Sequence, residues 1–584
     1  MSWKALLLLC ALFLAFKVPF LFLSPYVYDE EEVKPGAIGY TLTHGAPLPV
    51  LEYVVGGHEG GTLVMGVASI PFQILLGPTL FSYKVLSILV SLGILVLAAA
   101  LLNRIAGRAA ALAAAALLII SPPYLTQFNF IVWGNYVVTT LLTLLALTLF
   151  VRLAFEKTGT RLLAPVLGAV CGLALFIHFG FLVTILVVLL FWYLTDHRFL
   201  TRASLWTFAA GFLVGFSPWI AYNATHRFWG LDRVSDGVAA RVPVVERLSR
   251  ALENLQSLFA RDLASAWHFK GMLGIDLRIW SYLFYGLLLI GLVGLLFMQR
   301  KSIAAAFRAL IPGASRRLEP TTENAVLLFP AYFFAYAAVY ALSDYGLLRA
   351  EWGNLDPETH AHVFVILYFL LYIAALFAGR LAKNRILYAG FLAPILLLSL
   401  AGNAFLIAPE QSKAERLGIS FAAFESSIYE EIGQRYAFDD PGRTAVSGRL
   451  ERYNLWAFWY GVGTGLGARY WETPQTAIER CEAPDADLER ICRFGVGNGI
   501  VQRADAGLEP RTHAVRSVAD GPSKTFVIGG AAVSLRMQGF GEDPLVNQAQ
   551  EMFRDPDLDE QYPAEYLHFF RSKLYDDAGL SEKK

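Results

Sequence analysis

Tyr28-Asp29-Glu30-Glu31-Glu32 stands almost directly after the first apolar stretch of the chain. Four consecutive carboxylates where a helix leaves a bilayer repel one another and lose hydration, so the sequence predicts a use for part of this charge. Asp29 and Glu30 are set apart by context. Lys17-Val-Pro-Phe precedes them by about three helical turns, and Gly36, Gly39-Tyr40, His44-Gly45 and Pro47 follow. Glu31 and Glu32 are expected to fan into water as a solvated helix end. Lys17 lies inside an apolar run and needs an anionic partner or a water-filled cavity. Gly56-Gly57-His58-Glu59-Gly60-Gly61 is a second candidate, because flanking glycines let backbone approach a ligand and an adjacent His-Glu can donate, accept or ligate. A flexible turn with two solvated polar residues is the alternative there, and the helical His spacing of a zinc protease is missing. His360 and His362 could share a metal only with a third ligand from elsewhere; the alternative is a pair of interfacial polar residues. Asn223-Ala224-Thr225 fits a glycosylation sequon.

The elements that must position these residues are apolar. The chain has 584 residues, 56% hydrophobic and 16% charged, which indicates an all-α polytopic membrane protein. Basic and acidic residues balance at 48 each, so the field that nucleic-acid binding needs is missing and nucleic acid is excluded as a partner. Apolar runs suited to spans of roughly 20 residues fall at about 5–24, 80–102, 109–121, 134–152, 162–179, 181–195, 203–221, 278–298, 324–342, 361–379 and 386–407, about eleven transmembrane helices. The first reads as a retained anchor, since it contains Lys17 and Pro19 and no small-residue cleavage site follows. The short, Gly-rich stretch 63–77 reads as interfacial or half-inserted. Under this count Arg104, Arg108, Arg152, Lys157, Arg161, Arg198, Arg202, Arg300, Lys301, Arg308, Arg316, Arg317, Arg380, Lys383 and Arg385 share one side, the cytoplasm. Loops at Asp29, 222–277 and 343–360, and all residues after 407, are then extracytoplasmic. Cys10 and Cys171 read as apolar core residues. Cys481 and Cys492, close together in the tail, read as a local disulfide of an oxidising compartment, with two reduced buried thiols as the alternative.

A basic residue then Pro in the first helix, an Asp-Glu pair at its outer end, a Gly-rich loop, a short apolar segment and Leu76-Gly77-Pro78-Thr79-Leu80-Phe81-Ser82-Tyr83-Lys84 together resemble the N-terminal half of GT-C glycosyltransferases. The resemblance is closest to the branch holding protein O-mannosyltransferases, aminoarabinose transferases and RgtA/B/C/D-like enzymes. It continues through Ser121-Pro122-Pro123 and Ser217-Pro218-Trp219 with Tyr222-Asn223, covering 1–410 in topology and about 1–225 in motif. It implies a polyprenyl-phosphate-linked sugar donor drawn from the membrane lipid phase and an extracytoplasmic acceptor (glycan, lipid or protein), in the inner membrane of a bacterium. Asp29 takes the place of the general base, with Glu30 as the supporting acid. Lys84 takes a place often held by Arg, as a phosphate contact or a snorkelling interfacial lysine. The sequence departs from the family at Asn135, where relatives often have an acid, and at His178, commonly a basic position. It departs again around His360, where Arg349 is the nearest arginine. The departures leave the cofactor open, a divalent metal being one candidate.

After 407 the composition becomes that of a charged globular domain of about one domain's length, 408–584. Gly461-Val462-Gly463-Thr464-Gly465 is matched by Gly495-Val496-Gly497-Asn498-Gly499, and Gly529-Gly530 follows, each 34 residues on. That period suits a helical hairpin repeat, with coincident loop glycines as the alternative. The tail carries no catalytic motif. A membrane glycosyltransferase is one reading of the whole; a transporter or a non-catalytic platform that recruits partners through its tail is the other.

Overall fold

The computed structural model describes residues 1–54, 59–132, 135–156, 160–196, 203–226, 228, 244–265, 278–311, 317–342, 357–502, 508–519, 522–538, 540, 542–554 and 570. His58 and Arg349 lie outside them, as do the side chains of Glu30, His360 and His362. Two compact units are present, Met1–Tyr40 with His58–Phe421 and Thr41–Gly57 with Ala422–Lys584. The first unit therefore runs past the compositional break at 407, for a physical reason. Ala408 N–H donates to Leu23 O (2.8 Å), Leu80 N–H to Ile419 O (3.0 Å) and Phe421 N–H to Pro78 O (3.0 Å), which ties 408–421 to the ends of the first and second spans.

Among the described residues the fold is helical, with one isolated bridge between Thr79 and Ser420 and no strand. Among the described residues eight helical segments are long and apolar enough to cross a membrane: Trp3–Leu23, Leu80–Ala106, Tyr136–Phe155, Ala203–Thr225, Arg278–Met298, Thr322–Leu342, Val363–Leu381 and Arg385–Ala404. In chain order the first elements are α1 (Trp3–Lys17), α2 (Phe20–Leu23), α3 (Val33–Thr43), α4 (Gly61–Leu76), α5 (Leu80–Ala106) and α6 (Arg108–Ile119). They are followed by α7 (Pro123–Phe128), α8 (Tyr136–Phe150), α9 (Thr160–Ile177), α10 (Leu182–Thr195) and α11 (Ala203–Thr225). Pro19, which has no N–H, separates α1 from α2. Gly107, at φ 87°, lets the chain reverse between α5 and α6 where a side chain would be strained. Gly66 and Ser69 of α4 pack on Gly39 of α3. Helices α9 and α11 meet backbone to backbone. A Cβ at Gly168 would fall 2.0 Å from Phe208 O, and one at Gly215 would fall 2.1 Å from Ala169 O.

The second unit is built from the long helices Glu425–Tyr436, Arg452–Arg469, Ala486–Gln502 and Pro522–Met537, each followed by a shorter one. The glycine repeat lies on the long helices and sets their approach. A Cβ at Gly463 would fall 1.8 Å from Cys492 O, and one at Gly497 would fall 1.8 Å from Val527 O. Cys481 and Cys492 are joined as a disulfide, with Cα atoms 5.7 Å apart. Within the same unit Arg435 holds the 41–57 segment, donating to Val54 O (2.9 Å) and Glu52 O (2.6 Å). Tyr436 donates to Glu52 Oε2 (2.8 Å).

Candidate functional site

The acidic run after α2 does not behave as four solvated charges. Glu30–Glu32 form a single 3₁₀ turn that leads into α3. Asp29 caps this turn: its Oδ1 accepts from Glu31 N–H (2.9 Å), and its own N–H donates to Glu32 Oε2 (3.2 Å). Asp29 is half-buried and Glu31 is exposed, as expected for a helix entry. Glu32 is fully buried, which corrects the expectation that it points into water. The cause is Lys84, also fully buried, whose ammonium is ion-paired with Glu32 Oε2. Lys84 further donates to Val27 O (2.5 Å) and Phe130 O (3.1 Å), and its Nζ sits 5.0 Å from the centre of the Tyr28 ring.

Burial pushes the Glu32 carboxyl up to about 7, with Lys84 pulling the other way. The second oxygen, Oε1, is buried without a hydrogen bond among the described residues. The Tyr28 hydroxyl donates to Leu21 O. Burial, with the charges of Glu415 and Glu32, raises its ionisation well above the usual range.

The irregular stretch after α7 is held from α5. Ser91 Oγ donates to Asn129 O (3.1 Å), Lys84 to Phe130 O, and the Tyr83 hydroxyl to Val132 O. Non-helical backbone at membrane depth survives only where such partners exist. Lys17, buried at the end of α1, is served by the same region. It donates to Ser121 Oγ and Thr126 Oγ1, both at 2.7 Å. These hydroxyls stand where an anion or a water-filled cavity was expected. The Ser121 carbonyl in turn accepts from Asn403 Nδ2 of the last span (2.6 Å).

A second cluster forms at the start of α4. Both Glu59 carboxylate oxygens lie 2.9 Å from His178 Nδ1, and Phe179 N–H donates to Glu59 Oε1 (3.0 Å). The Tyr136 ring packs on His178 with centres 4.8 Å apart, and Asn135 caps α8 by accepting from Tyr136 N–H (2.7 Å). Glu59, Asn135 and His178 are thus brought together, apart from Asp29, Lys17 and Lys84. Gly39 of α3 and Gly66 of α4 approach closely where these two helices cross. Among the described residues no three His, Cys, Asp or Glu side chains gather as a metal site. Asn223 of the sequon is fully buried and donates to Trp219 O (2.9 Å), so it is not an accessible glycan acceptor.

Glu32 is the residue that composition and spacing hid. Within a run of like charges nothing singles out the last one; the usable signal was Lys84 at the start of a span, a cation needing a carboxylate from the adjoining loop.

Among the described residues, fold and clusters define an all-helical integral membrane protein with two buried lysines, Lys17 at the end of α1 and Lys84 at the start of α5. No family model matches the sequence, and neither does any curated protein.

Proposed function

We propose that the chain is a membrane glycosyltransferase of GT-C type that moves a sugar from a polyprenyl-phosphate donor to an extracytoplasmic acceptor. On this reading α6, α9 and α10 also cross the bilayer, giving eleven crossings with α4 between. The basic short loops are then cytoplasmic, and Asp29 and the helical tail are extracytoplasmic. The observation that carries the proposal is the buried Glu32–Lys84 pair, which fixes the first outer loop to the start of α5 and leaves half-buried Asp29 at its edge.

In the proposed step the acceptor hydroxyl oxygen bonds to the anomeric carbon and the bond from that carbon to the phosphate oxygen breaks, its electron pair leaving with the polyprenyl phosphate. The hydroxyl proton passes to Asp29, a base that is accessible where Glu32 is not. Lys17, whose ammonium is met by hydroxyls and by no carboxylate among the described residues, supplies charge for the leaving phosphate. Glu32 and Lys84 position the loop. Transfer from a polyprenyl-phosphate sugar by wild type, Asp29→Asn and Glu31→Gln tests this. Asp29→Asn is expected to lose on the order of 10²–10⁴ in rate, with Glu31→Gln unchanged.

The helical repeat of the tail favours the second reading, a platform that recruits partners. Unchanged turnover in Asp29→Asn overturns the catalytic role of Asp29, and absence of any transfer by wild type makes the platform the better account. A transporter reading lacks the internal symmetry that such folds carry.

A further inference from the structure

The helix Arg300–Leu310 follows the span Arg278–Met298 after one residue, the buried Gln299. At 100° per residue it has three distinct sides. Ser302, Ala305, Ala306 and Ala309 form the small-residue side, and Ala309 is fully buried where the helix packs on its preceding span and on α10. Phe307 and Leu310 form an exposed apolar flank, Phe307 at 66%. Val293 and Phe297 of the preceding span are exposed apolar residues as well. The third side carries Arg300, Lys301 and Arg308, all exposed.

Among the described residues no carboxylate is paired with that third side. From Met298 to Leu318 the sequence holds five basic residues and no acidic one. Arg300 stacks over its own Phe297 (4.4 Å) and Arg308 donates to Ala304 O of its own helix (3.1 Å). Asp196, the nearby carboxylate, is paired with Arg317 (3.5 Å).

We infer that the Arg300–Leu310 helix lies in the plane of the membrane interface and binds the headgroups of anionic phospholipids. The single residue between this helix and a membrane span identifies the bilayer as the occupant, because a helix held that close to the end of a span sinks its exposed apolar flank into the acyl boundary. The cations on the adjoining flank then sit at phosphate level, and the Ala side stays on the protein. The same charge rule that orients spans by their basic loops supplies the complementary lipid. This inference is independent of any transferase activity.

The test uses the full-length protein in nanodiscs of equal phosphatidylglycerol and phosphatidylcholine, with retained lipid counted by native mass spectrometry after release. Wild type should retain phosphatidylglycerol in excess. Replacing Arg300, Lys301 and Arg308 together by Gln should cut that excess by about fivefold per cation, on the order of 100-fold in all. Arg300→Lys with Arg308→Lys should keep it. On unmutated protein the excess should shrink as salt shortens the screening length from about 10 to about 3 Å. Equal retention of both lipids by wild type, an excess indifferent to salt, or wild-type retention in the triple Gln variant overturns the inference.

Discussion

Glu32 and Lys84 are both fully buried, so removing one partner strands a charge, while removing both does not. Lys84→Met leaves Glu32 Oε2 with only the Asp29 N–H and takes the donor from Val27 O and Phe130 O. Glu32→Gln leaves an ammonium facing two carbonyls and a ring. Breaking a buried pair from one side costs about 3–5 kcal/mol, and replacing the pair by neutral groups costs far less. The double variant should therefore be more stable than the sum of the two losses predicts, by about 2–3 kcal/mol.

The pH dependence has a definite sign. Burial raises the Glu32 carboxyl from the usual 4.5 to about 7, so folding favours its protonated form. The stability this contributes is fully present below about 4.5 and is lost as pH rises through about 7, up to about 3 kcal/mol. Unfolding of purified protein in detergent, followed from pH 5 to 8, should show that slope in wild type and not in Glu32→Gln. Single variants within about 0.5 kcal/mol of wild type, adding without coupling in the double, would mean that Glu32 is a solvated acid and that the loop is held by something else.

The disulfide and the glycine contacts give three further predictions. Cys481 and Cys492 should both resist alkylation without reductant, and replacing both by Ala should cost about 3 kcal/mol for a loop spanning a separation of 11 residues. Gly497→Ala should destabilise the second unit by several kcal/mol, on the order of 3 or more, since its Cβ would meet Val527 O at 1.8 Å. Gly286→Ala, which meets nothing within 4 Å, should be neutral or stabilising by up to about 1 kcal/mol in the same unfolding measurement.

Membrane class and helical content were legible because they rest on summed properties: a run such as Leu80–Ala106 stays apolar whichever neighbours it finds. The Cys481–Cys492 pairing and the 34-residue glycine period were legible because both are short-range. The distribution of roles within Asp29–Glu32 was not. Adjacent acids have the same local propensity, and what buries Glu32 is an ammonium 52 residues away in sequence. Lys17 was visible as a residue in need of partners, and the Ser121 and Thr126 hydroxyls lie more than a hundred residues on. The division at 407 followed the change of composition, whereas the first unit's boundary follows backbone hydrogen bonds from 408–421, to which composition is blind.

Glycine spacing has the same physical meaning in both units. In α9 and α11, Gly168 and Gly172 face the carbonyls of Phe208 and Phe212, while Gly211 and Gly215 face those of Pro165 and Ala169. Within a bilayer no hydrophobic force drives helices together, so close backbone approach supplies the dispersion contacts that hold them. In the second unit Gly463, Gly495, Gly497 and Gly530 make the same approach to Cys492, Tyr460, Val527 and Phe494 carbonyls. There the flanking Trp459, Tyr460 and Phe494 are buried as well, which adds to the dispersion contacts. Glycine weakens an isolated helix, so a period of glycines inside helices is stable only when each is opposed by another helix. The repeat is therefore a statement about neighbours, and cutting the unit between Arg469 and Ala486 should leave both pieces with exposed backbone grooves and unable to hold their long helices.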